Sequence, residues 1–201
     1  MMYPGVVAMV IAILFGIGGA GYLTRAIVGH PSLLSRISDV LHVLLAGTMI
    51  TMALDANMLL PPIAQLIVFG PAVVYYVILA IVARSATNAH ELHGGRALLC
   101  YHAVMMSAMV VMAVQMLQAG THLDGTMDMD ASAVHPMTMA SAPGWGAVGI
   151  VAAVFFGAGA LLFLVRLFAP AAARANVTGD RVNSFLLLSM SAGMCLAFLP
   201  W

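Results

Sequence analysis

Long apolar stretches alternate with short polar connections along the whole chain. Each stretch is close to the about 20 residues that an α-helix needs to cross the hydrocarbon core of a bilayer. Charged residues gather between the stretches and rarely interrupt them. The pattern predicts an all-α, polytopic membrane protein with transmembrane helices at about residues 4–24, 37–57, 62–83, 97–118, 146–167 and 182–200.

Positive charge is confined to alternate connections between the predicted spans. The chain has arginine but no lysine, and the charged residues of the remaining connections are all aspartate. Because cytoplasmic loops of membrane proteins are enriched in basic residues, we expect a plasma-membrane protein whose N- and C-termini both lie outside the cytoplasm. The loops predicted to be cytoplasmic carry Arg25 and Arg36, then Arg84 and Arg96, then Arg166, Arg174 and Arg181.

A short motif recurs in the even-numbered spans. The segments "HVLLAGTMITMA" (42–53) and "HAVMMSAMVVMA" (102–113) both read H-x6-M-x2-M-A. Counted from the arginine that opens each even span, Met49, Met109 and Met194 hold the same position. We therefore predict one transmembrane domain, residues 1–201, built from three tandem two-helix hairpins at about 4–57, 62–118 and 146–200, with an outer loop at 119–145.

Glycines are concentrated in the first and fifth spans. The segments "FGIGGAGYLTR" (15–25) and "FGAGALLFLVR" (156–166) align on Phe, two Gly, Leu and Arg. No predicted strand precedes them, so a nucleotide-binding loop is not expected. Small residues allow transmembrane helices to approach closely. We interpret these glycines as packing positions.

Composition narrows the class of protein further. The chain is 63% hydrophobic and 7% charged, with a mean hydropathy of +1.07, whereas soluble domains are about a quarter charged. The net charge of +0 gives no indication of a nucleic-acid partner. The acidic residues are too few and scattered for general acid/base pairs, so an enzyme is not expected. Cys100 and Cys195 are expected to be packing thiols rather than a disulfide.

The even-numbered spans carry stripes of methionine and histidine, whereas Met9 is the only methionine of the odd spans. On the fourth span the stripe covers an arc of about 120°. Asp39 lies one turn before His42, and we expect its carboxylate to accept a hydrogen bond from that imidazole. The candidate metal ligands of the spans are His42, Met49, Met52, His102, Met105, Met109, Met112, Met116 and Met194.

The predicted outer loop repeats the same side-chain chemistry in a hydrophilic segment. Methionine neither forms turns nor solubilises a loop, yet two Met-x-Met pairs occur there. Thioether and imidazole are the ligands that Cu(I) prefers. We therefore predict copper as the bound ion, captured by Met127, Met129, His135, Met137 and Met139.

Two other interpretations remain open at this stage. His42 and His102 are predicted at matching depth on two helices, where they would suit the two axial ligands of a b-type haem in an electron carrier. Alternatively, methionine is a flexible filler of hydrophobic interfaces. The stripes would then be packing surfaces of a structural or assembly subunit, facing membrane-protein partners or a second copy of the chain within the lipid bilayer.

The repeated H-x6-M-x2-M-A spans, in an Arg-only chain rich in Ala, Met and Gly, resemble an actinobacterial membrane-protein family known only as a domain of unknown function. That resemblance covers the whole chain and implies no activity. In chemistry, though not in sequence, the layout is similar to high-affinity copper importers, which combine an outer Met motif with Met triads across a trimeric pore. Met190-x3-Met194 matches their Met-x3-Met spacing, whereas the other two even spans depart from it.

Overall fold

The computed structural model of the protein describes residues 4–28, 33–54, 60–82, 96–123, 145–168 and 177–199. All six of the helices in these ranges are long and apolar enough to cross a membrane. The predicted all-α membrane class is therefore confirmed. The helices are α1 (Pro4–Val28), α2 (Leu33–Ala53), α3 (Pro62–Val82), α4 (Arg96–Leu123), α5 (Trp145–Phe168) and α6 (Val177–Phe198).

Two predicted boundaries near the arginines are wrong. α1 continues past residue 24 to Val28 and so includes Arg25, and α2 begins at Leu33 rather than 37 and so includes Arg36. Hydropathy falls where an arginine enters the sequence, but helical hydrogen bonding does not end there. A cation in the last turn of a helix is favoured by the helix dipole, as at Arg25. Arg36, in the first turn of α2, is exposed.

The helices form two compact units. The first unit comprises residues Met1–Pro31, Arg36–Leu59 and Met137–Trp201, and therefore holds α1, α2, α5 and α6. The second comprises Ser32–Ser35 and Leu60–Pro136, and holds α3 and α4. Within the first unit α6 packs against both α1 and α5, and within the second α3 packs against α4. Two of the predicted hairpins, α3–α4 and α5–α6, are thus pairs of helices in contact.

α1 and α6 run antiparallel in a fixed register within the first unit. Gly193 of α6 faces the Phe15 ring, and a Cβ built on it would lie 2.7 Å from Phe15 Cε2. One turn further along α1, a Cβ on Gly18 would lie 2.9 Å from Met190 Cγ. A Cβ on Gly21 would overlap the Leu186 side chain. Each step up α1 therefore matches a step down α6, and the glycines are the packing positions predicted for this segment.

α1 meets α2 along a second antiparallel row. A Cβ on Gly19 would lie 2.9 Å from Ala46 Cβ. Tyr22 stacks on His42, and Arg25 lies beside Asp39. The two rows of contacts converge at the last turn of α1, where polar side chains from three helices meet.

Several serine and threonine hydroxyl groups within the helices donate to the backbone of their own helix. Thr48 donates to the Leu44 carbonyl over 2.8 Å, and Ser107 donates to the Ala103 carbonyl over 2.8 Å. Ser191 donates likewise to the Leu187 carbonyl. Hydrogen bonds to the carbonyl one turn back allow polar side chains to be carried by transmembrane helices without a polar partner on another helix.

Candidate functional site

The methionine and histidine stripes point into the protein. Met9, the methionine of the odd spans, is by contrast 61% exposed on α1. Met52 and Met116 lie at partly exposed ends of their stripes. Among the residues that the structure describes, seven methionines are at most 3% exposed, and both predicted histidine ligands are equally buried: Met49, Met105, Met106, Met109, Met112, Met190 and Met194, with His42 and His102.

The predicted ligands of the spans divide between the two units. His42, Met49, Met52 and Met194 belong to the first unit, and His102, Met105, Met109, Met112 and Met116 belong to the second. The five predicted ligands of the outer loop, Met127, Met129, His135, Met137 and Met139, lie outside the described residues. Burial of the stripes is therefore established helix by helix, and the loop ligands stay a prediction.

His42 is held in one orientation by contacts on its ring edge and on its ring face. Its Nδ1 lies 2.7 Å from the Ser38 carbonyl oxygen, one turn back on α2. The Tyr22 ring of α1 covers one face of the imidazole, with centroids 4.5 Å apart and planes inclined by 21°. Since a carbonyl oxygen only accepts hydrogen bonds, the Nδ1–H of His42 donates this hydrogen bond to the Ser38 carbonyl.

The prediction that Asp39 orients His42 is wrong. The His42 side chain leans back towards the N-terminus of α2, which brings its Nδ1 within reach of the Ser38 carbonyl, four residues earlier. That carbonyl accepts the hydrogen bond from Nδ1 over 2.7 Å. The Asp39 carboxylate faces Arg25 of α1 instead, with Oδ1 and Nη2 separated by 3.7 Å.

Arg25 links three helices of the first unit. Its Nη1 donates a 2.9 Å hydrogen bond to Oδ1 of Asn183 on α6, and its Nη2 faces Asp39 on α2. The guanidinium also lies over the Tyr22 ring, 5.6 Å from the centroid. The Arg25 side chain is 34% exposed, while that of Asp39 is 2% exposed. We name Tyr22, Arg25, Asp39, His42 and Asn183 the polar cluster.

A second tyrosine covers the second histidine. Tyr76 of α3 lies against His102 of α4, with ring centroids 5.3 Å apart and planes inclined by 31°. Tyr76 is fully buried. Its neighbour Tyr75 contacts it edge-on at 5.2 Å and donates a hydrogen bond of 3.0 Å to the Leu34 carbonyl. Both histidines of the repeated motif are therefore covered by a tyrosine from the preceding helix.

Sequence reasoning missed both tyrosines. Tyr22 lies three residues before Arg25, whereas Tyr76 lies eight residues before Arg84, so an alignment on the arginines does not bring them together. The signal that was present is weaker: each odd span that precedes a motif histidine carries tyrosine in its second half, and the fifth span carries none.

Among the ranges that the structure describes, no group of three or more His, Cys, Asp and Glu side chains is placed to hold a metal ion. Cys100 and Cys195 are both free thiols, as predicted. Sγ of Cys195 would lie 3.3 Å from a Cβ built on Gly157 of α5, which is a packing contact.

A family model described as a domain of unknown function (DUF5134) matches residues 34–200. The match includes α3, α4, α5 and α6 and nearly all of α2, whereas α1 precedes it. Asp39, His42 and Asn183 of the polar cluster fall within the matched residues, and Tyr22 and Arg25 fall before them. Comparison with curated proteins and with solved structures gave no match.

Proposed function

The chain belongs to the DUF5134 family, whose function is unknown, and we propose that it is an integral membrane protein that binds Cu(I) through buried methionine and histidine side chains and passes it between them. One observation carries the proposal. Seven methionines of the even helices are at most 3% exposed, whereas Met9 of an odd helix is 61% exposed. Thioethers are thus concentrated in the interior of a membrane protein.

Thioether chemistry favours Cu(I) over the other common metal ions. Sulfur and imidazole ligands suit soft ions such as Cu(I), whereas Mg²⁺ and Ca²⁺ require several oxygen ligands. Thioethers are neutral, so they hold a monovalent cation without placing a second buried charge in the membrane. Their weak, exchangeable binding suits an ion that must leave each site as well as occupy it.

The burial of the stripes also favours copper binding over a role as an assembly subunit. Methionine-rich contact surfaces for partner proteins have to be exposed on the isolated chain. The stripe methionines of α4, Met105, Met106, Met109 and Met112, are instead fully buried by the chain itself. No contact described here favours haem over copper, and the absorption spectrum of the purified protein tests that alternative directly, since a b-type haem gives an intense Soret band.

The outer loop supplies the capture step of the proposal. Its two Met-x-Met pairs and His135 follow α4, the helix that carries the longest methionine stripe. We propose that this loop takes up Cu(I) outside the cytoplasm and delivers it to Met116 and Met112 at the outer part of α4. Each even helix would then be the ligand-bearing helix of one copy of the two-helix hairpin repeat.

This direction depends on the orientation inferred from the arginines. An alkaline phosphatase fused after Trp201 should be active in intact cells, because that enzyme folds only outside the cytoplasm. The same fusion at Arg84, in a loop proposed to be cytoplasmic, should be inactive there. Activity at Arg84 combined with inactivity at Trp201 would reverse the orientation.

Copper binding is tested with detergent-purified protein that is given Cu(I) under anaerobic conditions. We expect about one or more equivalents of Cu(I) per chain, held against a competing chelator by the soft ligand set. Replacing Met109 and Met112 together by Leu should weaken the affinity at least about tenfold, as loss of metal-site residues does. Leucine nearly matches methionine in volume, so the fold should be retained.

The matched control is Met9→Leu, which removes an exposed thioether from α1 and should leave the Cu(I) affinity unchanged. A third variant replaces Met127, Met129, Met137 and Met139 by Leu and reports on the loop alone. Less than about half an equivalent of Cu(I) on the parent protein would refute the proposal. Equal loss of affinity in Met9→Leu and in the α4 double variant would assign the effect to general disturbance of the helices.

A further inference from the structure

Asp39 is an acidic residue in the interior of the first unit. Its side chain is 2% exposed, and it lies on α2, which is long and apolar enough to cross a membrane. Ionisable side chains inside transmembrane segments are costly, and they commonly mark the path of an ion or a proton. Asp39 is therefore a candidate functional group, and its contacts indicate what it binds.

The Arg25 guanidinium makes two unlike contacts with the neighbouring helices. Nη1 donates a 2.9 Å hydrogen bond to the neutral amide of Asn183 on α6. Nη2 lies 3.7 Å from Oδ1 of Asp39 on α2, whereas a hydrogen bond from a cation to a carboxylate is about 2.7–2.9 Å long. The short bond thus goes to the uncharged partner, and the contact with the carboxylate is a looser attraction between charges.

The two contacts differ in their response to a proton. The Asn183 amide is uncharged, so its hydrogen bond with Arg25 joins α1 to α6 whatever the pH. The Asp39 carboxylate becomes neutral when it binds a proton, whereas arginine stays charged in proteins. Protonation of Asp39 therefore weakens the link between α1 and α2 and leaves the link between α1 and α6 intact.

We propose that the polar cluster is a proton-controlled link between α1 and α2, in which Asp39 is the proton-binding group. A proton from water forms an O–H bond with the Asp39 carboxylate and cancels its negative charge. Arg25 keeps its own proton and its hydrogen bond to Asn183, and α2 is released from the guanidinium. The Arg25 side chain is 34% exposed, so water reaches the cluster at the end of α1. The proposal does not depend on Cu(I) binding.

Other charged and titratable groups lie near Asp39 and have to be separated from it. Histidine titrates between about pH 5 and pH 8, and His42 lies one turn after Asp39 on the same helix. A change of stability with pH would therefore not identify the group that binds the proton, and the test needs a signal of the carboxyl group itself. The described groups near this end of the unit are Arg25 and Tyr22 on α1, Arg36 and His42 on α2, and Arg181 on α6.

Infrared difference spectroscopy detects a proton on a carboxyl group directly. The full-length protein in detergent, with no metal added, is compared at about pH 8 and about pH 5, the range in which proteins are usually most stable. We expect the C=O stretching band of a protonated carboxyl group to appear on acidification, to be lost in Asp39→Asn, and to be kept at a shifted frequency in Asp39→Glu. Asp124→Asn, outside the described residues, is the matched control and should keep the band.

Spin labels on exposed residues report on the two links separately. Val28→Cys with Ile37→Cys reports on α1 and α2, and Val28→Cys with Val182→Cys reports on α1 and α6, both in a background without the native cysteines. The three labelled side chains are between 39% and 69% exposed. We expect acidification to broaden or lengthen the distances between α1 and α2 and to leave those between α1 and α6 unchanged. In Asp39→Asn the first pair should have the acidic distances already at about pH 8.

Two results would overturn the proposal. If acidification produces no carboxyl band in the parent, or a band that Asp39→Asn and Asp39→Glu leave unaltered, Asp39 does not bind the proton. If both label pairs change equally, or the pair on α1 and α2 does not change, Asp39 does not control this link. Both measurements are made without copper, so neither result bears on the proposed Cu(I) binding.

Discussion

Replacing Arg25 by methionine should destabilise the protein by about 3 kcal/mol, because it leaves the Asp39 carboxylate buried without its counter-charge. The Asp39 side chain is 2% exposed and the Arg25 side chain 34% exposed. The attraction between the two charges is partly screened by solvent around Arg25, so the pair itself contributes little. The cost arises instead from the desolvated carboxylate that remains after Arg25 is removed.

The double variant Arg25→Met/Asp39→Leu distinguishes this explanation from loss of packing. Replacing both members of a buried ion pair by apolar residues of similar size is often close to neutral. The double variant should therefore recover most of the stability that Arg25→Met loses. Unfolding followed by circular dichroism, in detergent micelles of one composition, measures the difference between the variants.

Arg36→Met is the control for removing a positive charge near the same end of α2. Arg36 is exposed, so its substitution should change stability by no more than about 0.5 kcal/mol. Equal unfolding midpoints for Arg25→Met and Arg36→Met would show that Arg25 does not stabilise Asp39. A double variant less stable than Arg25→Met would show that the apolar packing of leucine at position 39 fails.

The polar cluster shows where prediction from the sequence stops. Hydropathy and arginine positions predict the helices, since the bilayer requires a long apolar segment whatever the tertiary contacts are. The same criterion places Arg25 in a loop, because a charged residue is taken to mark the end of a transmembrane helix. In the structure Arg25 lies in the last turn of α1 and contacts residues of α2 and α6. Its partner at position 183 is separated by most of the chain, and no local pattern indicates that pairing.

Periodicity predicts faces more reliably than it predicts contacts. The stripe of α4 was identified from spacing alone, and the four methionines from Met105 to Met112 are indeed buried. The partners of His42 were not identified. A helical wheel places Asp39 near His42, but the Asp39 carboxylate faces Arg25 of α1, and the imidazole donates its Nδ1 hydrogen bond to the Ser38 carbonyl. Which tyrosine covers which histidine depends on the register between helices, which a single sequence does not contain.

Glycine is the case in which a sequence pattern did predict contacts between helices. The segment that holds Gly18, Gly19 and Gly21 was interpreted as packing glycine, and each of them meets a side chain of another helix closely. Gly16, in the same segment, meets nothing within 4 Å. The pattern thus identifies the helix that packs closely, and only the structure identifies which glycines are required. This difference provides a test: the same substitution, glycine to alanine, is made at one glycine that is closely packed and at one that is not.

Gly193→Ala should destabilise the protein by about 1–3 kcal/mol, as overpacking of a well-packed interior does. A Cβ at this position would lie 2.7 Å from Phe15 Cε2 and 3.0 Å from Cδ2. The Phe15 ring is fully buried, so it has little room to move aside. The backbones of α1 and α6 must then separate at this point. Contacts further along the same two helices, as far as the hydrogen bond between Arg25 and Asn183, will be strained by that separation.

Gly16→Ala is the control, since its Cβ would enter open space on α1. Alanine is the better helix former by about 1 kcal/mol, so this variant should match or exceed the stability of the parent. Phe15→Leu combined with Gly193→Ala should recover part of the loss, because the smaller side chain makes room for the methyl group. Equal stability of the two alanine variants in detergent unfolding would mean that α1 and α6 do not meet at Gly193. The register that brings Arg25 to Asn183 would then have to be abandoned as well, because both contacts belong to one antiparallel row.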